Sequence, residues 1–94
     1  MKKTDHTELF EEILKLESIE ECEAFFTDLC TITELDAMLQ RVKSAKMLLD
    51  DKTFAEVSVA TGISSATLAR VSKAIKYGEG GYELILKRPK KKVG

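Results

Sequence analysis

The chain sets apolar stripes against polar faces at helical spacing along almost its whole length. In "HTELFEEILKLE", Leu9, Phe10, Ile13, Leu14 and Leu16 fall on one broad face, a spacing that predicts an amphipathic helix. "SIEE" at 18–21 reads as a capping box: Ser18 accepts from the Glu21 amide while Glu21 reaches back to the start of the turn. It opens a second helix with Ile19, Cys22, Phe25, Phe26 and Leu29 inward. Thr31 and Thr33 both offer a cap to "ELDAMLQRVKSAKMLLDD", the longest predicted helix. Its stripe is Leu35, Met38, Leu39, Val42, Ala45, Leu48 and Leu49. "TFAE" at 53–56 is another capping box and starts a short fourth helix. "TGISSATL" ends that helix and starts a fifth, which runs to about Tyr77, where "GEGG" stops it by glycine. "YELILKR" predicts a last short helix, and "PKKKVG" a frayed end. With no strand alternation and no internal repeat, the pattern predicts an all-α domain of about six helices.

Ninety-four residues make one domain, near the lower end of what folds unaided. The only proline is Pro89, so the chain has few built-in breaks. No apolar run approaches the roughly 18 residues of a membrane helix. The start, "MKKTDHTELFEEI", lacks the pattern of a signal peptide, and the expected compartment is the cytoplasm. Cys22 and Cys30 lie about two helical turns apart, too far for a disulfide within one helix. There is no CxxC and His6 is the sole histidine, so the thiols are expected in the core, with no metal and no cofactor. Asp50 and Asp51 read as turn chemistry. No phosphate loop, nucleophile elbow or HExxH is present, and the chain is not expected to be an enzyme.

Net charge is −1, which says little by itself, but its distribution says more. Residues 1–47 carry six Lys/Arg against eleven Asp/Glu, whereas residues 61–94 carry eight Lys/Arg against Glu79 and Glu83 alone. One end of the molecule is suited to a polyanion.

The interruption at "TGISS" gives that end a form. Helix-turn-helix units join two helices steeply through a three- to four-residue turn, often with Gly. Gly62 supplies the positive φ that such a turn needs. Ile63 plugs the space between the helices, and Ser64, or next best Ser65, caps the second. Val57, Leu68 and Val71 sit where the helices must touch, and Ser58 is small enough to let them cross closely. An ordinary αα-corner would share these features. On its outer side the second helix presents Ser65, Ala66, Thr67, Ala69, Arg70 and Lys73, slim at its start, as entry to a major groove about 12 Å wide requires. Thr67 can hydrogen-bond to a base or phosphate, Ala66 can touch a thymine methyl, and Arg70, Lys73 and Lys76 can meet phosphates. The candidate DNA contacts are therefore Ser58, Ser64, Ser65, Ala66, Thr67, Ala69, Arg70, Lys73 and Lys76.

From about Thr31 to Lys76 the chain resembles the Trp repressor family, in particular its YerC/YecD-type branch, through "TITELDAMLQRV", "MLLDDKTFAEV" and "TGISSATLARVSK". The resemblance implies an intertwined homodimer on double-stranded DNA. Residues 1–52 would form the dimerisation helices, 53–77 the helix-turn-helix, and 78–94 a short helix and basic tail. Two heads would sit about 34 Å apart, one turn of DNA, as is known for dimeric helix-turn-helix proteins including the Trp repressor. In that family an indole lies between two arginines, which match Arg41 and Arg70, and a threonine before the central helix matches Thr31. The family's glycine after the second arginine is Val71 here, and a serine that helps bind the amino group is Ala74. Val71 fills the space of a flat ring, and Ala74 leaves an ammonium short of a partner. The expected effector is thus not tryptophan; another small molecule, or none, stays open.

The tail "KRPKKK" at 87–92 would lie along phosphates or simply solubilise the end. The expected function is sequence-specific transcriptional regulation, with repression the expected sense, at a near-palindromic operator. The alternative is a protein-interaction module that docks a partner through the helix-turn-helix and the acidic N-terminal helices.

Overall fold

Local capping chemistry sets most of the element boundaries. A computed structural model of the chain describes residues 5–90, and among these there are six helices and no strand. They are α1 (Thr7–Ile13), α2 (Ile19–Leu29), α3 (Ile32–Leu49), α4 (Phe54–Thr61), α5 (Ser65–Tyr77) and α6 (Gly81–Leu86). Thr31 caps α3 and Thr53 caps α4, each by a complete capping box. In the first, Glu34 Oε1 accepts from the Thr31 amide at 2.8 Å while Thr31 Oγ1 accepts from the Glu34 amide at 3.1 Å. The second repeats this between Thr53 and Glu56 at 2.9 and 3.1 Å.

Two expectations change near the N-terminus. Ser18 caps α2 by accepting from the Glu21 amide at 3.0 Å, but the Glu21 carboxylate takes the Glu17 amide instead, at 2.8 Å. The Glu17 amide lies just outside the helix, so the box closes one residue early. Helix α1 also stops at Ile13, before Leu14 and Leu16. Its end tightens into shorter bonds, Lys15 N–H to Glu12 C=O and Leu16 N–H to Ile13 C=O, both 3.1 Å.

The buried core is confined to one part of the chain. Val57, Ile63 and Leu68 form it, with Met47 and Leu48 of α3 packed alongside. Ala45 and Val71 are also buried. Helices α3, α4, α5 and α6 pack against one another, whereas α1 and α2 make no substantial packing with those four. The apolar stripes predicted for α1 to α3 are there, but the single chain leaves much of them open. Leu9, Phe10, Leu14, Ile19, Leu29, Ile32, Met38 and Leu39 are all exposed, Leu14 by 84%. Cys22 and Cys30, expected in the core, are free and only half-buried for the same reason.

The dimensions agree. The radius of gyration is 14.7 Å, against about 12 Å for a compact domain of this length. The chain exposes 8092 Å², against about 5,400 Å² for a compact monomer of its mass.

Candidate nucleic-acid interface

The turn between α4 and α5 is built by three residues, Gly62, Ile63 and Ser64. Gly62 ends α4 in the left-handed region, at φ 70°, ψ 11°, and its amide donates to the Ser58 carbonyl at 2.9 Å. An added Cβ at Gly62 would meet nothing within 4 Å, so the glycine is there for its backbone angle and not for lack of room. Ile63 follows, 5% exposed and seated in the core. Ser64 is the N-cap of α5: its Oγ accepts from the Thr67 amide at 3.2 Å and donates to the Thr67 hydroxyl at 2.9 Å.

That cap has consequences for two candidate contacts. The Ser64 hydroxyl is engaged inside the protein. The Thr67 hydroxyl accepts from Ser64, so its own proton is free to be donated outward.

Helix α5 buries Leu68 and Val71 and turns its other side to solvent. Ser65, Ala66, Ala69, Arg70, Lys73 and Lys76 are exposed, while Thr67 and Ser58 are half-buried. The exposed strip begins with small side chains and continues into three cations at i, i+3, i+6, over a helix of 13 residues, about 20 Å long. Among the described residues the ion pairs are Lys15–Glu12 and Lys87–Glu83. Among the described residues Arg70, Lys73 and Lys76 have no ion-pair partner, and the strip is a positive surface. Lys87, Arg88 and Lys90 of the basic tail are exposed as well, whereas Lys91 and Lys92 lie outside the described residues.

Beside the strip, between α3, α5 and α6, is a cleft of about 380 Å³. It brings together Arg41, Arg70, Val71 and Ala74 of the expected effector pocket, with Ala37, Gln40, Thr67 and Tyr82 completing the wall. Thr31 is not part of it; its hydroxyl caps α3. Neither Arg41 nor Arg70 is ion-paired among the described residues. Val71, 2% exposed, packs into the core at the base of the cleft. The sequence reading missed Gln40 and Tyr82. Tyr82 arrives on α6, whose entry is set by Gly80 at φ 78°, and only a three-dimensional arrangement brings it to residues 41 and 70.

The Trp repressor protein family model matches residues 4–90. The chain is 43% identical over 83 residues to the uncharacterised protein YerC of Bacillus subtilis, covering 88% of this chain and 80% of that protein. Among solved structures, a candidate Trp repressor from Staphylococcus aureus superimposes with a TM-score of 0.87 at 40% identity, over 93% of this chain and 87% of that one. A TrpR-like protein from Eubacterium eligens gives 0.86 at 38% identity, over 93% and 90%.

Proposed function

The chain belongs to the Trp repressor family of DNA-binding regulators, and on that footing we propose that it is a homodimeric repressor of transcription that reads a near-palindromic operator. The observation that carries this is the outward strip of α5. It is slim at its N-terminal end and then positive through Arg70, Lys73 and Lys76. Ser65, Ala66 and Ala69 allow the helix close to base edges, the Thr67 hydroxyl is a donor there, and the cations hold phosphates. Ser58 lies half-buried beneath, and Ser64 contributes by fixing where α5 begins.

The second chain follows from the surface that one chain leaves open. Helices α1 and α2 have apolar residues that the described residues leave largely open. A second copy buries those side chains and doubles the contacts to DNA through a two-fold axis. In this reading Thr31 serves the cleft only from the partner chain, since within one chain it stands apart. The cleft does not take tryptophan. Val71 occupies the ring's space, and Ala74 gives an ammonium no hydroxyl.

Duplexes selected from a random pool, measured at two salt concentrations alongside sedimentation, test the reading. The expected result is a particle of twice 10.5 kDa whose affinity falls steeply with salt. Arg70→Ala leaves it helical and dimeric, weakens binding and lowers the salt slope by about one per head. Unchanged binding by Arg70→Ala removes that residue from the interface. Absence of any duplex binding at low salt defeats the reading in favour of a protein-docking module.

A further inference from the structure

One side chain ties the reading head to the long helix by a directed bond. Gln40 of α3 donates from Nε2 to the carbonyl oxygen of Thr61, 21 residues away, at 3.2 Å. Thr61 is the last residue of α4, and its carbonyl is among those that a helix end leaves without an intrahelical partner. Its hydroxyl is engaged too. It donates to the Val57 carbonyl at 2.8 Å and accepts from the Ile63 amide at 3.2 Å. Through Thr61, then, the helix before the turn, the residue after Gly62 and the long helix are bonded together.

The rest of the head's attachment to α3 is mainly apolar, through Val57, Ile63 and Leu68 against Met47 and Leu48, with Ala45 of α3 and Val71 of α5 buried as well. Apolar burial is non-directional and holds the head down without fixing its angle. A hydrogen bond is directional. Gln40 also sits seven and eight residues before Met47 and Leu48, about 10–12 Å along the helix axis. A directed bond at that distance from the apolar contacts restrains the tilt of the head more sharply than burial alone.

We propose that Gln40 is a positioning residue for operator reading, setting the angle at which α5 leaves the body; this rests on the DNA-binding function proposed above. The sequence-specific part of binding depends on that angle, because base edges must meet particular side chains. The phosphate part tolerates small tilts, because charge attraction is long-ranged.

Gln40→Met tests this, keeping side-chain length and adding no charge while removing the donor. The Thr61 carbonyl then bonds water, and the fold persists. The expected result is a roughly five-fold loss of affinity for the selected duplex, the size of one net hydrogen bond. Affinity for random duplex should change less than about two-fold, with the salt slope unchanged because no cation is removed. Amide exchange at Ile63 should quicken several-fold while that at Leu48 stays as it was. Equal weakening on both duplexes with a fall in Tm would mean a merely structural role and overturn the proposal. So would an unchanged specific-to-random ratio with unchanged Ile63 protection. If the unaltered protein binds no duplex, the DNA reading fails, and the exchange measurement still decides whether Gln40 holds the head.

Discussion

Replacing Gly62 by alanine isolates the cost of the turn's backbone angle. At φ 70° a Cβ approaches the following carbonyl, which costs about 1–2 kcal/mol. Alanine also narrows the unfolded ensemble, which returns about 0.4–1 kcal/mol. No steric contribution adds to this, since nothing lies within 4 Å of the added carbon. The net expectation is a loss of about 1 kcal/mol, or roughly 4–8 °C in Tm for a chain of this size. Gly62→Asn should lose about half as much, because asparagine tolerates the left-handed region better. Gly78 provides the contrast. Its φ is an ordinary −85°, but an added Cβ would collide with the Ala74 carbonyl oxygen. Gly78→Ala must therefore shift the end of α5, and Gly78→Asn should be no milder. Thermal melts followed by circular dichroism, at one fixed chain concentration because the stability of any oligomer depends on it, measure all four variants. If Gly62→Ala melts with the parent, or Gly62→Asn is as harmful as Gly62→Ala, backbone angle is not what the turn requires of residue 62.

Ser44 is fully buried on α3 and its hydroxyl has no partner among the described residues. Ser44→Ala removes an unsatisfied group and improves helix propensity, so it should stabilise by about 0.5–1.5 kcal/mol in a denaturant titration; destabilisation would mean that the hydroxyl finds a partner in the assembled protein. Glu34 and Glu56 titrate below the ordinary glutamate value, held down first by the backbone amides of Thr31 and Thr53 and then by the hydroxyls of those residues. A carboxyl whose folded pKa is depressed contributes stability that is present above its unfolded pKa and lost as pH falls through the folded one. Glu34→Gln with Glu56→Gln keeps both boxes without a titrating group, so it should flatten the fall in Tm below the ordinary glutamate range; an unchanged acid limb would refute the assignment.

Most of the reading head was legible because its determinants are local. Thr31 with Glu34, Thr53 with Glu56, Ser64 and Gly62 each act within four residues, and spacing alone reveals such partners. Local logic failed where competing partners lay equally near: the Glu21 carboxylate had two amides within reach and took that of Glu17. Periodicity placed helices at α1 and α2, though it ran α1 past its end at Ile13, and it carries no information about what covers an apolar face. A stripe buried against the same chain and one left for another look identical in sequence, which is why Cys22 and Cys30 were expected in a core that the single chain does not build. Gln40 and Tyr82 were invisible for a third reason. Gln40 bonds Thr61, 21 residues away, and Tyr82 joins Arg41 and Arg70 in the cleft from another helix, placements fixed by how α3, α4, α5 and α6 cross.

The charge pattern gains its meaning once the helices are placed. Residues 5–30 hold nine Asp/Glu against Lys15 alone, and they form the two helices that do not pack on the head. The head itself carries Arg70, Lys73 and Lys76 on its open strip. Near a polyanion the first group is repelled and the second attracted, and both effects act at distances of about a Debye length, before any contact is made. In the proposed reading the separation works on orientation more than on total attraction, turning the arms away from the duplex and α5 toward it. Net charge is a poor guide here because it sums two surfaces of opposite sign. In that reading a net charge of −1 is no barrier to DNA binding, because the cations of α5 lie on the face offered to the duplex and the carboxylates of residues 5–30 do not.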